Sequence, residues 1–329
     1  MKIIKLHIKN FKSIADLEII EPNPFTVFVG PNGSGKSNIF EALEFYMNPF
    51  FVESLGGMFG GKESIINRSN QHLESSIEVL TDAFKFQNST NFYQKFGKDS
   101  SKKLIYNSNE SFEDENEAKT INRFVFYLKR LFVGNIEKQK FNFSDNSALS
   151  FSGNNLEKVL RRLLDDKFKN EEITELLNLF LPGFEKVDVI SSGLSGTDTL
   201  LIYEKGIEKP FTKELVSDGT YNILVLITAI LQSDEPQFLC IEEPENGLNP
   251  KVVKELVHFC RNACEEKGHY IWLNTHSQTL LSELNEEELI IVDKKKGETQ
   301  IKQFKKGDFF GLRADEALLS NVLGGGIPW

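Results

Sequence analysis

The chain has 329 residues, 40% hydrophobic and 26% charged, enough for one large α/β domain or two small ones with a sizeable core. Its formal net charge of -10 argues against a protein that wraps nucleic acid along its whole surface, while leaving room for a local basic patch. Three cysteines make an odd set, which argues against a disulfide framework and fits a reducing compartment.

The opening MKIIKLHIKNFKSI alternates charged with apolar residues, unlike a secretory signal. Within residues 1–9, Ile4, Leu6 and Ile8 take one face and Lys5, His7 and Lys9 the other, which predicts a half-buried strand. After a turn around Lys12 to Asp16 comes a second strand at Leu17–Ile20. The apolar run Phe25–Val29 predicts a buried strand ending in a Gly-rich loop, and Ser37–Met47 follows with Ile39, Leu43 and Met47 at helical spacing. From about Asn88 to Thr120 the composition turns to Asn, Ser, Lys and Glu without periodicity, as in a loop or mobile insertion. Helical patterns return at Lys119–Val133, Asn155–Phe168 and Glu171–Phe180, the last stopped by Pro182-Gly183.

Strands are expected at Val187–Ser191 and Thr199–Tyr203, then a buried helix at Ile223–Leu231 and a buried strand at Phe238–Ile241. An amphipathic helix at Lys251–Lys267, a strand at Tyr270–Asn274 and a hairpin complete the pattern. The hairpin pairs Leu289–Asp293 with Thr299–Phe304 and turns at Lys296-Gly297. Strands alternating with helices imply an α/β fold with a mostly parallel sheet core, an N-terminal antiparallel β part and an inserted helical or irregular arm. The longest apolar run, Ile223 to Leu231, spans about 9 residues where a membrane helix needs roughly 20, so a cytoplasmic protein without membrane contact is expected.

Four stretches carry chemistry. GPNGSGKS, Gly30 to Ser37, fits the P-loop pattern between a predicted strand and a predicted helix. Its amides at Asn32, Gly33, Ser34 and Gly35, with the helix start at Asn38, suit phosphate; Lys36 reaches the β- and γ-phosphates, and the Ser37 hydroxyl suits Mg²⁺. FLCIEEPENGLNP, Phe238 to Pro250, delivers two carboxylates at the C-terminal end of a strand, where α/β sheets place their sites. Glu242 then serves as the metal ligand, directly or through water, and Glu243 as the base that polarises the attacking water. LVSDGTYNIL, Leu215 to Leu224, puts Ser217 and Gly219 at a helix start, where an ordinary N-cap and an anion site share one pattern. His276, in IWLNTHSQTLL, follows the next strand and is placed to sense a γ-phosphate.

Together these stretches resemble the head domain of the ABC superfamily, in its RecF/SMC-like, AAA-named branch. Gly30–Ser37 matches Walker A, Ser217–Thr220 the signature, Phe238–Glu243 Walker B, Glu245–Pro250 the D-loop and His276 the switch histidine. NFKSI, Asn10 to Ile14, looks like the branch's opening turn, which lies against the nucleotide base and brings in Lys12. The chain departs from many relatives in having Glu242 where they have Asp, and Asp218 where transporters have Gly. It also lacks a long heptad region. The Q-loop is left between Gln71 and Gln87.

The resemblance implies one ABC-type ATPase domain over 1–329: a Walker A lobe at 1–90, an inserted arm at 91–185, and a lobe at 186–329 with signature, Walker B and histidine. It also implies ATP and Mg²⁺ as cofactors, and hydrolysis coupled to head-to-tail dimerisation or a higher even oligomer. A separate effector such as a nuclease, in nucleic-acid maintenance or anti-phage defence, is the partner this implies. The alternative is the ATPase subunit of an ABC transporter. Lys294, Lys295, Lys296, Lys302, Lys305 and Lys306 on the hairpin read either as a solvated edge or as a contact for DNA or RNA phosphates. Cys260 and Cys264, near His258 and His269, read as buried helix residues and not as a zinc site.

Overall fold

Alternating apolar residues at the start of the chain form an antiparallel pair, β1 (Ile3–Phe11) and β2 (Ile14–Ile20), which leads into the wholly buried β3 (Phe25–Val29) and α1 (Lys36–Met47). The computed structural model describes residues 2–47, 62–70, 72–82, 85–89, 128–133, 146–191 and 198–320. A short helix, α2 (Lys62–Ile65), precedes β4 (Ser76–Thr81) and β5 (Lys85–Ser89), which extend the first sheet to the order β2-β1-β4-β5. β6 (Leu128–Phe132) leads to α3 (Leu156–Leu164) and α4 (Lys167–Phe180). A small antiparallel sheet follows, made of β7 (Phe184–Ser191), β8 (Asp198–Glu204) and β9 (Phe211–Thr212).

The last third alternates as its pattern predicts. It runs through α5 (Asp218–Leu231), β10 (Phe238–Glu242), α6 (Pro250–Lys267), β11 (Tyr270–Thr275) and α7 (Gln278–Leu281). The hairpin β12 (Leu289–Lys295) and β13 (Glu298–Gln303) and a last helix, α8 (Ala314–Leu319), complete it.

The central sheet has the order β13-β12-β3-β11-β10-β6, parallel except for the β12–β13 hairpin. The period of two divides its side chains between two cores. Phe28, Phe238, Cys240, Tyr270 and Trp272 pack under α1 and the N-terminal sheet. Val27, Leu239, Ile241, Ile271 and Leu273 face α3, α4, α5 and α6 on the other side. Sandwiching explains why β3, β10 and β11 read as unbroken apolar runs: both faces are covered.

Three expectations change. The helical pattern at Lys119–Val133 does not hold over its described end, where Leu128–Phe132 is an edge strand paired parallel with β10. Burial on both sides made Leu128, Leu131 and Phe132 mimic a helical stripe. Residues 91–185, expected as an arm, supply β6 to the central sheet and α3 and α4 to its core. The helix expected through Phe168 stops earlier because Asp166 caps a new one, accepting from the Phe168 and Lys169 amides. Most of the irregular stretch Asn88 to Thr120, Gln71 and the terminal Ile327-Pro328-Trp329 lie outside the described residues. Among the described residues no helix is long and apolar enough to cross a membrane.

Candidate functional site

The C-terminal ends of β3, β10 and β11 lie side by side, so the loops after them converge. After β3 the chain turns through Gly30 to Ser37 and enters α1, whose first amides point back at the loop. Gly35 sits at φ 104, and a Cβ there would come within 2.0 Å of Thr299 Oγ1. Only glycine lets the loop lie this close to the hairpin. Thr299 also donates to the Ser34 carbonyl at 2.9 Å, and Ser13 Oγ joins Thr299 Oγ1 at 2.6 Å and accepts from Asn38 Nδ2 at 2.6 Å.

Lys36 is buried, and its ammonium donates to the carbonyls of Gly30 (2.7 Å) and Pro31 (3.2 Å). Burial pulls its pKa from 10.5 down to about 8, against the opposing pull of Glu243 and Glu242. The Ser37 hydroxyl donates to Glu242 Oε2 at 2.7 Å, and Asn274 Nδ2 donates to Ser37 Oγ at 3.3 Å. Glu242 Oε1 accepts from Arg130 Nε at 2.6 Å, and Arg130 also donates to Glu44 Oε2 at 2.8 Å. Burial works against the Arg130 charge, but Glu242, Glu44 and Glu41 outweigh it, so its pKa is raised.

Glu243 adopts φ 50, rare for a residue with a Cβ; its amide donates to the Asn274 carbonyl at 2.8 Å and its carboxylate accepts from Asn246 Nδ2 at 3.1 Å. Glu245, half-buried two residues on, accepts from the Thr275 hydroxyl at 2.6 Å and from the His276 amide at 3.1 Å. Its pKa is raised, chiefly by burial. The His276 pKa is lowered by burial and by Lys36, against Glu243, which favours the neutral ring.

A cleft of about 230 Å³ collects Asn32, Gly33, Gly35, Lys36, Ser37, Asn38, Glu243 and His276, together with Ser13, Asn274 and Lys294. Ser34 and Glu242 lie buried beside it. Lys12 is not among the residues that line it; its ammonium pairs with Glu41, and the next residue, Ser13, faces the cleft instead. Ser217 and Gly219 also lie outside the cleft's lining. Ser217 caps α5, accepting from the Thr220 amide at 3.2 Å, and Gly219 packs so tightly on the loop after β10 that a Cβ would stand 2.3 Å from the Gly247 carbonyl oxygen.

Arg130, Ser13, Asn274 and Lys294 were not singled out for this site from the sequence. An arginine inside the apolar stretch LKRLF, and an asparagine ending the apolar YIWLN, are the signals that mark two of them.

The donor set fits the two expected groups. Ser37 Oγ and Glu242 Oε2 are hard oxygens side by side, and Asn274 Oδ1 next to them is buried without a hydrogen-bond partner among the described residues. Lys36 and the first amides of α1 present positive charge to one wall of the same cleft, as a triphosphate requires.

The family described as "AAA domain, putative AbiEii toxin, Type IV TA system" matches residues 25–282. The chain belongs to this family. The ATPase head matches the chromosome partition protein Smc of Methanocaldococcus jannaschii at 54% identity over 51 residues, 16% of this chain and 4% of that protein. It matches the energy-coupling factor transporter ATP-binding protein EcfA1 of Methanospirillum hungatei at 38% over 52 residues, 16% of this chain and 19% of that one. The chain thus spans a small fraction of the curated relatives' length.

Among solved structures, the SMC head domain from Thermotoga maritima aligns at TM-score 0.52 and 18% identity, covering 93% of this chain and 100% of that one. An Smc head bound to the C-winged helix domain of ScpA aligns at TM-score 0.57 and 14% identity, covering 91% and 97%. The fold is that of an ABC-type ATPase head of the SMC/RecF-like branch.

Proposed function

We propose that this ATPase head binds ATP with Mg²⁺ in the cleft and hydrolyses it, and that ATP closes two heads onto each other to control a separate effector, such as a nuclease, in nucleic-acid maintenance or anti-phage defence. The observation that carries this reading is the 2.7 Å bond from Ser37 to Glu242, which joins the P-loop to a carboxylate 205 residues away.

Bound Mg²⁺ supplies charge compensation on the β- and γ-phosphate oxygens. Ser37 and Glu242 are the residues that would hold it, with Asn274 beside them. Lys36 brings its ammonium to the phosphates from the floor of the cleft. Glu243, steadied by Asn246, is the base that orients water, and His276, favoured neutral, lies on the same cleft as a hydrogen-bonding partner for the terminal phosphate. Ser217 and the start of α5 lie outside this cleft, so the reading assigns them to the cleft of a second protomer. Homodimers or higher even oligomers follow from that exchange.

The transporter-subunit alternative draws support from the short EcfA1 match. Asp218 in the signature and the NFKSI opening speak against it. Co-purification with a membrane permease would favour it.

The test is Glu243→Gln. Turnover should fall by about 100-fold or more while bound ATP is retained, and sizing in ATP and Mg²⁺ should shift to the dimer. A variant that hydrolyses normally takes the role from Glu243.

A further inference from the structure

We infer that Arg130 is a positioning residue for the metal site: its guanidinium, anchored by Glu44 and Glu41, holds the Glu242 carboxylate with one oxygen turned toward Ser37. The inference rests on the reading of Ser37 and Glu242 as metal ligands.

The geometry divides the two oxygens of Glu242. Oε1 takes the Nε proton of Arg130 at 2.6 Å and pairs with its Nη2 as well, whereas Oε2 takes the Ser37 hydroxyl at 2.7 Å. Arg130 is only 8% exposed, so water does not compete for its donors. On its far side Nη1 meets Glu44 Oε2 at 2.8 Å and Glu41 Oε1 at 3.5 Å, so the fork is fixed from α1 as well as from β10. Anchored this way, the guanidinium stays on Oε1 and does not swing to cover both oxygens, as a free arginine would in a bidentate pair.

Charge supports the same division. Among the described residues, Lys12, Arg130 and Lys36 are three cations, and Glu41, Glu44, Glu242 and Glu243 are four carboxylates, which leaves one negative charge beyond balance. That excess lies next to the Ser37 hydroxyl, where a divalent cation is favoured. A lysine could carry the charge but not the planar fork that spans three carboxylates.

The test separates positioning from plain structural support. Mn²⁺ binding is followed by electron paramagnetic resonance in the presence of a non-hydrolysable ATP analogue, and binding of the analogue alone is followed in EDTA. Arg130→Lys keeps the charge; Arg130→Met combined with Glu44→Leu removes one charge of each sign, so the network's balance survives and folding is protected. In both, Mn²⁺ affinity should fall about tenfold or more, while metal-free affinity for the analogue moves less than about twofold. Wild-type Mn²⁺ affinity in either folded variant overturns the inference, as does an equal loss with and without metal. Ser37→Ala and Glu242→Gln are the controls for the underlying reading and should abolish Mn²⁺ binding. If they leave it intact, the metal-site assignment itself falls, and the inference with it.

Discussion

Lys36 shows how one residue's burial becomes a measurable pH dependence. Its folded pKa of about 8 lies below the ordinary 10.5, so the unfolded chain holds more protons between those values. Stability of the nucleotide-free protein should therefore rise with pH across that window, the opposite of a lysine that gains a salt bridge. The triphosphate needs the charged amine. ATP affinity should accordingly fall roughly tenfold between about pH 7 and about pH 9, read by titrating a fluorescent ATP analogue. A flat profile would mean that the Lys36 amine does not contact phosphate. The residues of the P-loop were legible because backbone curvature and phosphate contact demand a contiguous spelling. Asn274 and Arg130 were not, because each is a polar side chain on a strand whose sequence otherwise records mostly burial, and Ser13 was passed over for its neighbour Lys12 in the β1–β2 turn.

At the level of elements, the start of α5 and the loop after β10 behave as one unit. Gly219 meets Gly247 with no room for a methyl group, and Asn222 Nδ2 ties the same pair together by donating to the Asn246 carbonyl at 2.8 Å. Gly219→Ala should therefore cost about 1–3 kcal/mol in urea unfolding, since neither backbone can yield cheaply. Gly219 does not line the cleft, so affinity for ATP should persist while ATP-dependent dimerisation is lost. Loss of ATP affinity to the same degree would place the strain inside the nucleotide site. The strand–helix alternation of the last third was legible from the sequence in its apolar runs and amphipathic spacing; in the structure Ser217, Asn249 and Ser277 each accept from an amide of the helix they open, and Gly268 closes α6 at φ 66. β6 was misread because an edge strand covered on both faces has the apolar spacing of a short helix turn.

For the whole molecule, charge decides how a nucleic acid could engage an ATPase head with a net charge of -10. Repulsion from the bulk of the surface leaves attraction to a local patch, and the β12–β13 hairpin concentrates lysines at one end of the central sheet, where β13 is tied to β2 through Gln303 and Ile20. Lys294 is exposed like Lys295, Lys296, Lys305 and Lys306 but also lines the nucleotide cleft, so the patch adjoins the candidate site. The edge-strand reading and the phosphate-contact reading give different salt responses. Charges that only discourage edge pairing leave duplex affinity near zero at any salt, and their reversal changes solubility. Phosphate contacts release counterions, so duplex DNA affinity should fall steeply with salt, and each lysine reversed to glutamate should reduce the log–log slope by about one. Fluorescence anisotropy on a labelled duplex, with Lys295→Glu and Lys296→Glu beside the wild type, reads both quantities. Binding that ignores salt, or a slope untouched by the reversals, would move the nucleic-acid surface away from the hairpin and leave its lysines as a solvated face.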